Sequence, residues 1–236
     1  MTETAREFRA PAPRVGERQQ LREEVATYVR ELIMSGGVRP GEFLRMERIA
    51  EAVGVSNTPV REGLLTLRNE GVVRLVPNRG FLVERFSPQD VRDLFWAQAQ
   101  LAGELAGRAA KHVTPELLER LERLIEAEGA AQQAHNTDLI AEGGHAFHRE
   151  INRAADSPRL AHLLASMVQQ LPNRFYATID SRVEDAGDVH PQLLAALRKK
   201  DVKKASALMQ KHILSGADNL IVELEQRGIW TNDDDN

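Results

Sequence analysis

Along residues 18–35 the apolar side chains Leu21, Val25, Tyr28/Val29 and Leu32/Ile33 return every three or four positions, the spacing of one helix face. "GGVRPGE" (36–42) closes that pattern: Gly36 and Gly37 suit a helix C-cap, and Pro40-Gly41 a turn. A shorter stripe, Ile49, Ala50 and Val53, predicts a second helix over 46–53, broken by Gly54. A third helix is expected from about 56–58 to about 70. Pro59 falls in its first turn, where a missing N–H costs little, and Gly71 stops it. The period then changes. "VVRLV" (72–76) and "GFLVERF" (80–86) read as two short strands joined at "PNRG".

From Ser87 onward strand signals vanish. "SPQD" is a helix start, with Ser87 as N-cap and Pro88 at the first helical position. Apolar residues then recur at helical spacing to about residue 225. Breaks are expected at 113–116, 134–138, 155–159, 171–173, 183–191 and 199–201. The pattern predicts six or seven helices in an antiparallel bundle. The fold class is therefore mostly α, an N-terminal winged helix-turn-helix followed by a C-terminal all-helical bundle. The expected divisions are a mobile arm over 1–17, a DNA-binding domain over 18–86, a helical domain over 87–228 and an acidic tail over 229–236. A hinge is expected near 84–88.

Net charge is −4, which argues against nucleic acid until it is divided. Residues 1–86 hold 14 Arg and no Lys against 12 Glu, a net +2; residues 87–236 hold 17 basic against 23 acidic groups, a net −6. The front half thus carries the positive charge, all of it as guanidinium, which binds phosphate or guanine in bidentate fashion. The chain has no cysteine, so disulfides and thiolate metal sites are excluded. No apolar run approaches the ~18 residues of a membrane helix, and the N-terminus lacks the apolar stretch of a signal peptide. The expectation is a cytoplasmic protein with no membrane partner.

Helix, helix, Gly turn, helix, hairpin is the order of a winged helix-turn-helix, whose recognition helix presents its N-terminal residues to the major groove. Ser56, Asn57, Thr58 and Arg61 occupy those positions, and Val55, Val60, Leu64, Leu65 and Leu67 the buried side. Arg61 can reach guanine O6/N7; Asn57 can read adenine or bond a phosphate. Arg45 and Arg48 at the second helix, with Arg79 and Gly80 at the wing tip, complete the DNA-contact candidates. The bland alternative is that Ser56 and Thr58 only cap the helix and Arg61 is a solvated charge. The stretch "PGEFLRMERIAEAVGVSNTPVREGLLTLRNEGVVRLVPNRGFLV" resembles the DNA-binding domain of the GntR family of bacterial transcription regulators. That family commonly has Arg where this chain has Asn57, and Ala where it has Gly63. The first departure removes a guanine or phosphate contact and bears on operator preference. The second is expected to cost roughly 1 kcal/mol of helix stability.

In the helical half, His148 ("HAFHREINRAA"), His190 ("DVHPQLLAAL") and His212 (on the stripe Ala205, Leu208/Met209, Gly216) fall on or beside apolar faces. Three neutral imidazoles on three helices can share a divalent transition metal, or each can bond separately within a core. The pieces "FHREINRAADSPRL", "HPQLLAALRKKD" and "ASALMQKHI" are similar to the helical ligand-binding domain of the FadR-type branch, also known as the FCD domain. In its metal-binding members three His and one Asp hold the ion. The resemblance assigns the His ligands to His148, His190 and His212, for Zn or Ni. It puts Gly144 where the Asp belongs, one turn before His148. Three outcomes stay open: an open three-His site, a substitute ligand from Glu142 or His145, or no metal. His145, His148 and Asn152 share one helix face. Gln98 and Ala102 stand where the family often carries Arg and Glu. The effector-binding candidates are Gln98, Glu104, Asn152, Asn173 and Arg174, with Gln100 and Gln169 as further polar neighbours.

The expected function is a ligand-responsive transcriptional repressor: a homodimer on a near-palindromic double-stranded operator, sensing a small carboxylate in the helical domain. Two alternatives differ in class. A constitutive DNA-binding dimer would use the helical domain only to dimerise, and would have a solid apolar core there. A three-His metalloenzyme would need a general base, and "HAFH" lacks the Glu of an H-E-x-x-H helix.

Overall fold

The computed structural model describes residues 15–171 and 186–230. Among these residues are nine helices and one three-stranded sheet, and the chain divides into two compact units. The described part of the first unit is 15–33 and 37–84; that of the second is 34–36, 85–171 and 186–230.

The first unit is built from α1 (Val15–Met34), β1 (Phe43–Leu44), α2 (Met46–Val53), α3 (Asn57–Asn69), β2 (Val73–Val76) and β3 (Gly80–Val83). Helix α1 starts earlier than its apolar stripe, so residues 15–17, expected in the arm, are helical. The sheet order is β1-β3-β2, antiparallel throughout. β1 is a strand that periodicity does not reveal. It is two residues long and exists because Phe43 and Leu44 pair with Leu82 and Phe81 across the sheet. The hairpin turns at Pro77-Asn78-Arg79, with Asn78 at φ 61° and Gly80 at φ 100°. The core gathers Val25, Val29, Ile49, Leu64, Leu67 and Phe81, each no more than 3% exposed.

Two contacts fix α3 to α1. Arg30, 5% exposed, makes a bidentate ion pair with Glu70 just past the end of α3, Nη2 to Oε1 at 2.7 Å and Nε to Oε2 at 3.1 Å. Gly63 faces α1 so closely that a Cβ there would lie 2.7 Å from Val25 Cγ1 and 2.9 Å from the Arg22 carbonyl oxygen. This corrects the expectation drawn from propensity alone. Glycine at 63 lowers intrinsic helix stability, but it is the residue that lets the two helices approach.

The second unit runs α4 (Pro88–Lys111), α5 (Pro115–Gln133), α6 (Thr137–Ala154), α7 (Pro158–Val168), α8 (Ala186–Arg198) and α9 (Val202–Gln226). Ser87 and Asp90 form a capping box: Asp90 N–H donates to Ser87 Oγ at 3.2 Å, and Ser87 N–H to Asp90 Oδ2 at 2.7 Å. The Asp90 carboxyl is held below its usual range, chiefly by its hydrogen bonds from Ser87. Thr114, Asn136 and Asp201 cap α5, α6 and α9 through their side-chain oxygens. Gly103 and Gly107 on α4 let α9 lie alongside it, facing Gln210 and Val202/Ser206 respectively. His190 does not begin a helix, as the sequence pattern suggested; α8 already runs from Ala186 and carries Pro191 within it. Ile229 also departs from expectation. It is buried in a cluster with Val91, Phe95 and Leu224, so the packed chain extends past 228. No described helix is long and apolar enough to cross a membrane.

Candidate functional site

The recognition-helix candidates stand on the surface of the first unit. Ser56, Asn57, Thr58 and Arg61 are all exposed, while Val60, Leu64 and Leu67 on the opposite face of α3 are fully buried. Ser56 is the N-cap by backbone position, yet its hydroxyl makes no cap hydrogen bond. The side chain is therefore not spent on the helix it begins. Arg45 and Arg48 are exposed at the start of α2, and Arg79 at the wing. The Arg79 guanidinium lies over the Phe43 ring, Cζ 4.6 Å from its centroid, which fixes the wing tip against β1. Gly80 takes the positive φ that closes the hairpin.

In the second unit, His148 on α6, His190 on α8 and His212 on α9 converge. One ring nitrogen from each lies within 4.8 Å of the others. The ring centroids form a nearly equilateral triangle with sides 5.2, 5.0 and 5.1 Å. His190 Nε2 is 3.3 Å from His148 Nε2. Its other nitrogen, Nδ1, is 2.7 Å from Glu128 Oε2 of α5. A carboxylate only accepts, so Nδ1 carries the hydrogen, and in neutral His190 the Nε2 lone pair points into the cluster. Phe147 packs against the His190 ring, with centroids 4.5 Å apart.

Burial sets the protonation of this cluster. It holds His148 well below the usual imidazole range, with His212 and His190 adding repulsion. Burial, reinforced by His190, likewise takes His212 down to about 3. Near neutral pH both rings are uncharged, which is the ligating form. The group of three contains no carboxylate among the described residues, and neither Glu142 nor His145 joins it.

A cavity of about 910 Å³ opens beside the cluster, with His148 and His212 in its wall. Gln98, Asn152 and Gln169 also line it. Gln98 is 1% exposed, and its Nε2 donates to the Met167 carbonyl at 3.4 Å. Asn152 Oδ1 is buried with no hydrogen-bond partner among the described residues. Glu104 does not belong here. It lies on the exposed side of α4, paired with Arg108 at 2.8 Å, and Gln100 is exposed too. Helical spacing puts residues 100 and 104 one turn apart, and the close α4–α9 packing uses the other faces of α4. Asn173 and Arg174 lie outside the described residues.

Sequence reasoning missed two groups. Arg149 lines the cavity next to His148, from an exposed position on α6. Glu128 was hidden in the charge-rich run "ERLERLIEAEGA". A signal existed: Leu117, Leu121, Glu128 and Ala131 are the buried residues of α5, so Glu128 sits on the apolar stripe itself.

The sequence profile of bacterial regulatory proteins of the gntR family matches residues 21–83, and that of the FCD domain matches residues 93–215, more than half of the chain. The chain belongs to the FCD-bearing branch of the gntR family. The Uxu operon transcriptional regulator of Escherichia coli K12 is 28% identical over 214 residues, covering 81% of this chain and 83% of its own. The transcriptional repressor GlaR of the same organism is 27% identical over 199 residues, with 78% and 88% covered. Among solved structures, E. coli McbR/YncC superposes with a TM-score of 0.65 at 21% identity, covering 87% of this chain and 98% of that one. A GntR regulator from Rhodococcus sp. RHA1 superposes at 0.59 and 20% identity, with 88% and 99% covered. At those identities the superpositions speak for the fold. As a gntR-family member the chain is a DNA-binding transcriptional regulator and not an enzyme.

Proposed function

We propose that this gntR-family regulator is a metabolite-responsive repressor that binds a near-palindromic operator as a homodimer. Ser56, Asn57, Thr58 and Arg61 would read the major groove, with Arg45, Arg48, Arg79 and Gly80 on the backbone and wing side. The helical unit would hold a divalent transition metal, Zn or Ni, on His148, His190 and His212, and a small carboxylate effector in the adjoining cavity. The observation that carries this reading is the convergence of three imidazoles, two of which, His148 and His212, stand in the cavity wall. Nitrogens bound tetrahedrally at about 2.0–2.1 Å stand about 3.3–3.4 Å apart, and the His148–His190 pair has that separation at 3.3 Å. A bound ion would supply a Lewis-acidic position for a carboxylate oxygen. Arg149, in the cavity wall, can pair with the same ligand, in place of the Arg that the family often carries at position 98. Asn152 Oδ1, buried and unpartnered, can accept from a ligand hydroxyl. The cavity also supports a sensor over a dimerising scaffold, which would have filled it with side chains.

The test is metal analysis of tag-free protein purified without chelator, together with His148→Ala and His212→Ala. About one Zn or Ni per chain, absent from both variants, is expected. Operator binding, followed by fluorescence anisotropy, should then respond to small carboxylates in the wild type and not in the variants. Wild-type protein free of metal, or a carboxylate response that survives in both variants, would sink the metal-centred reading.

A further inference from the structure

We infer that Glu128 is the positioning residue of the three-histidine site and supplies, one shell out, the negative charge that Gly144 no longer provides. This rests on the metal-centred reading above.

Glu128 is 7% exposed, on a helix whose other buried residues are Leu117, Leu121 and Ala131. Removing a carboxylate from water costs several kcal/mol unless nearby charge or hydrogen bonds compensate. Its hydrogen bond goes to His190 Nδ1 at 2.7 Å, a ring that is itself 3% exposed. When His190 is neutral, as a metal ligand must be, one imidazole N–H is small compensation for a buried carboxylate. A divalent cation on the far side of that imidazole accounts for the carboxylate's position, because the charges then face each other across the ring.

The direction of the bond matters as much as its charge. Neutral imidazole has one N–H and one lone pair. Glu128 holds the hydrogen on Nδ1, and so commits Nε2, the nitrogen facing His148, to donation toward the ion. The same bond raises the basicity of the ring as a ligand. Gly143 on α6 faces Glu128, where a Cβ would stand 3.6 Å from the Glu128 Cβ, in ordinary contact, and Gly144 beside it is buried in the cavity wall. Gly144 leaves the inner shell without a carboxylate, while α5 carries one behind His190. With the carboxylate one shell out, more of the ion's charge faces the cavity than an inner-shell Asp would leave, which favours an anionic effector.

The experiment compares wild type, Glu128→Gln and Glu128→Ala. Zn affinity is measured by chelator competition, and the tautomer of His190 by ring 15N shifts in the metal-free proteins. Circular dichroism and thermal unfolding establish that the variants fold. The inference expects wild-type His190 in the Nδ1–H form, and affinity about 10-fold weaker in Glu128→Gln, which keeps the acceptor and loses the charge. In Glu128→Ala it expects affinity about 100-fold weaker, with the fixed tautomer lost. A merely structural Glu128 would lower the melting temperature and leave affinity and tautomer unchanged, which overturns the inference while the metal site stands. Wild-type protein that binds no Zn overturns both readings together.

Discussion

In the first unit the groups proposed to meet a partner, Ser56, Asn57, Thr58 and Arg61, stand on the surface at α3, and the helix is held by contacts on its other face. In the second unit the corresponding groups, His190, His212 and Glu128, are themselves part of the interior. The difference teaches where function and stability are separable. An exposed reader can be changed residue by residue, as the family-atypical Asn57 suggests, with little consequence for folding. A buried site cannot, because each polar group there is also a packing element whose partner is stranded when it goes.

The sharpest test of that separation lies in the first unit's own interior. Arg30→Ala leaves the part-buried Glu70 without its bidentate partner and should destabilise by about 3 kcal/mol, read from urea unfolding. A loss below about 1 kcal/mol would show that the pair behaves like a surface one. In the helical unit, Zn held at about 100 times its Kd should raise stability by about 2.7 kcal/mol in wild type and not in His212→Ala. An equal rise in both would uncouple the cluster from folding.

Smaller effects sharpen the contrast. Gly63→Ala should destabilise by about 1–3 kcal/mol, because overpacking against Val25 and the Arg22 carbonyl outweighs the gain in helix propensity. A stabilised variant would mean that α1 and α3 part easily. Arg61→Ala should weaken operator binding about 10- to 100-fold and relax discrimination at one base pair, with the melting temperature unchanged. Ser87→Ala, which removes half of the capping box, should cost about 1 kcal/mol in the helical unit and leave DNA discrimination alone.

Much of this architecture can be read from local pattern. The recognition helix, the hairpin and the capped start at Ser87 are all encoded within a few residues, by periodicity and turn chemistry. What escaped depends on residues far apart. β1 is a strand only because β3 lies beside it. Gly63 looks like a weak helix residue until α1 is placed against it. The three histidines stood out because imidazole on an apolar stripe is unusual. Glu128 did not, because a Glu among many on α5 resembles a solvated face. Glu104 shows the converse error, a polar residue assigned to the interior that turns out to salt-bridge on the surface.

The ring of Phe43 beneath Arg79 bears on what the proposed DNA contact would cost. A free arginine gives up as much as ~2 kcal/mol of rotamer entropy when it is immobilised on a phosphate. At this wing tip much of that ordering has taken place before any encounter, since the guanidinium already rests on an aromatic face. In the proposed DNA contact Arg79 therefore has less ordering left to lose, and replacing Phe43 by leucine is expected to weaken operator binding.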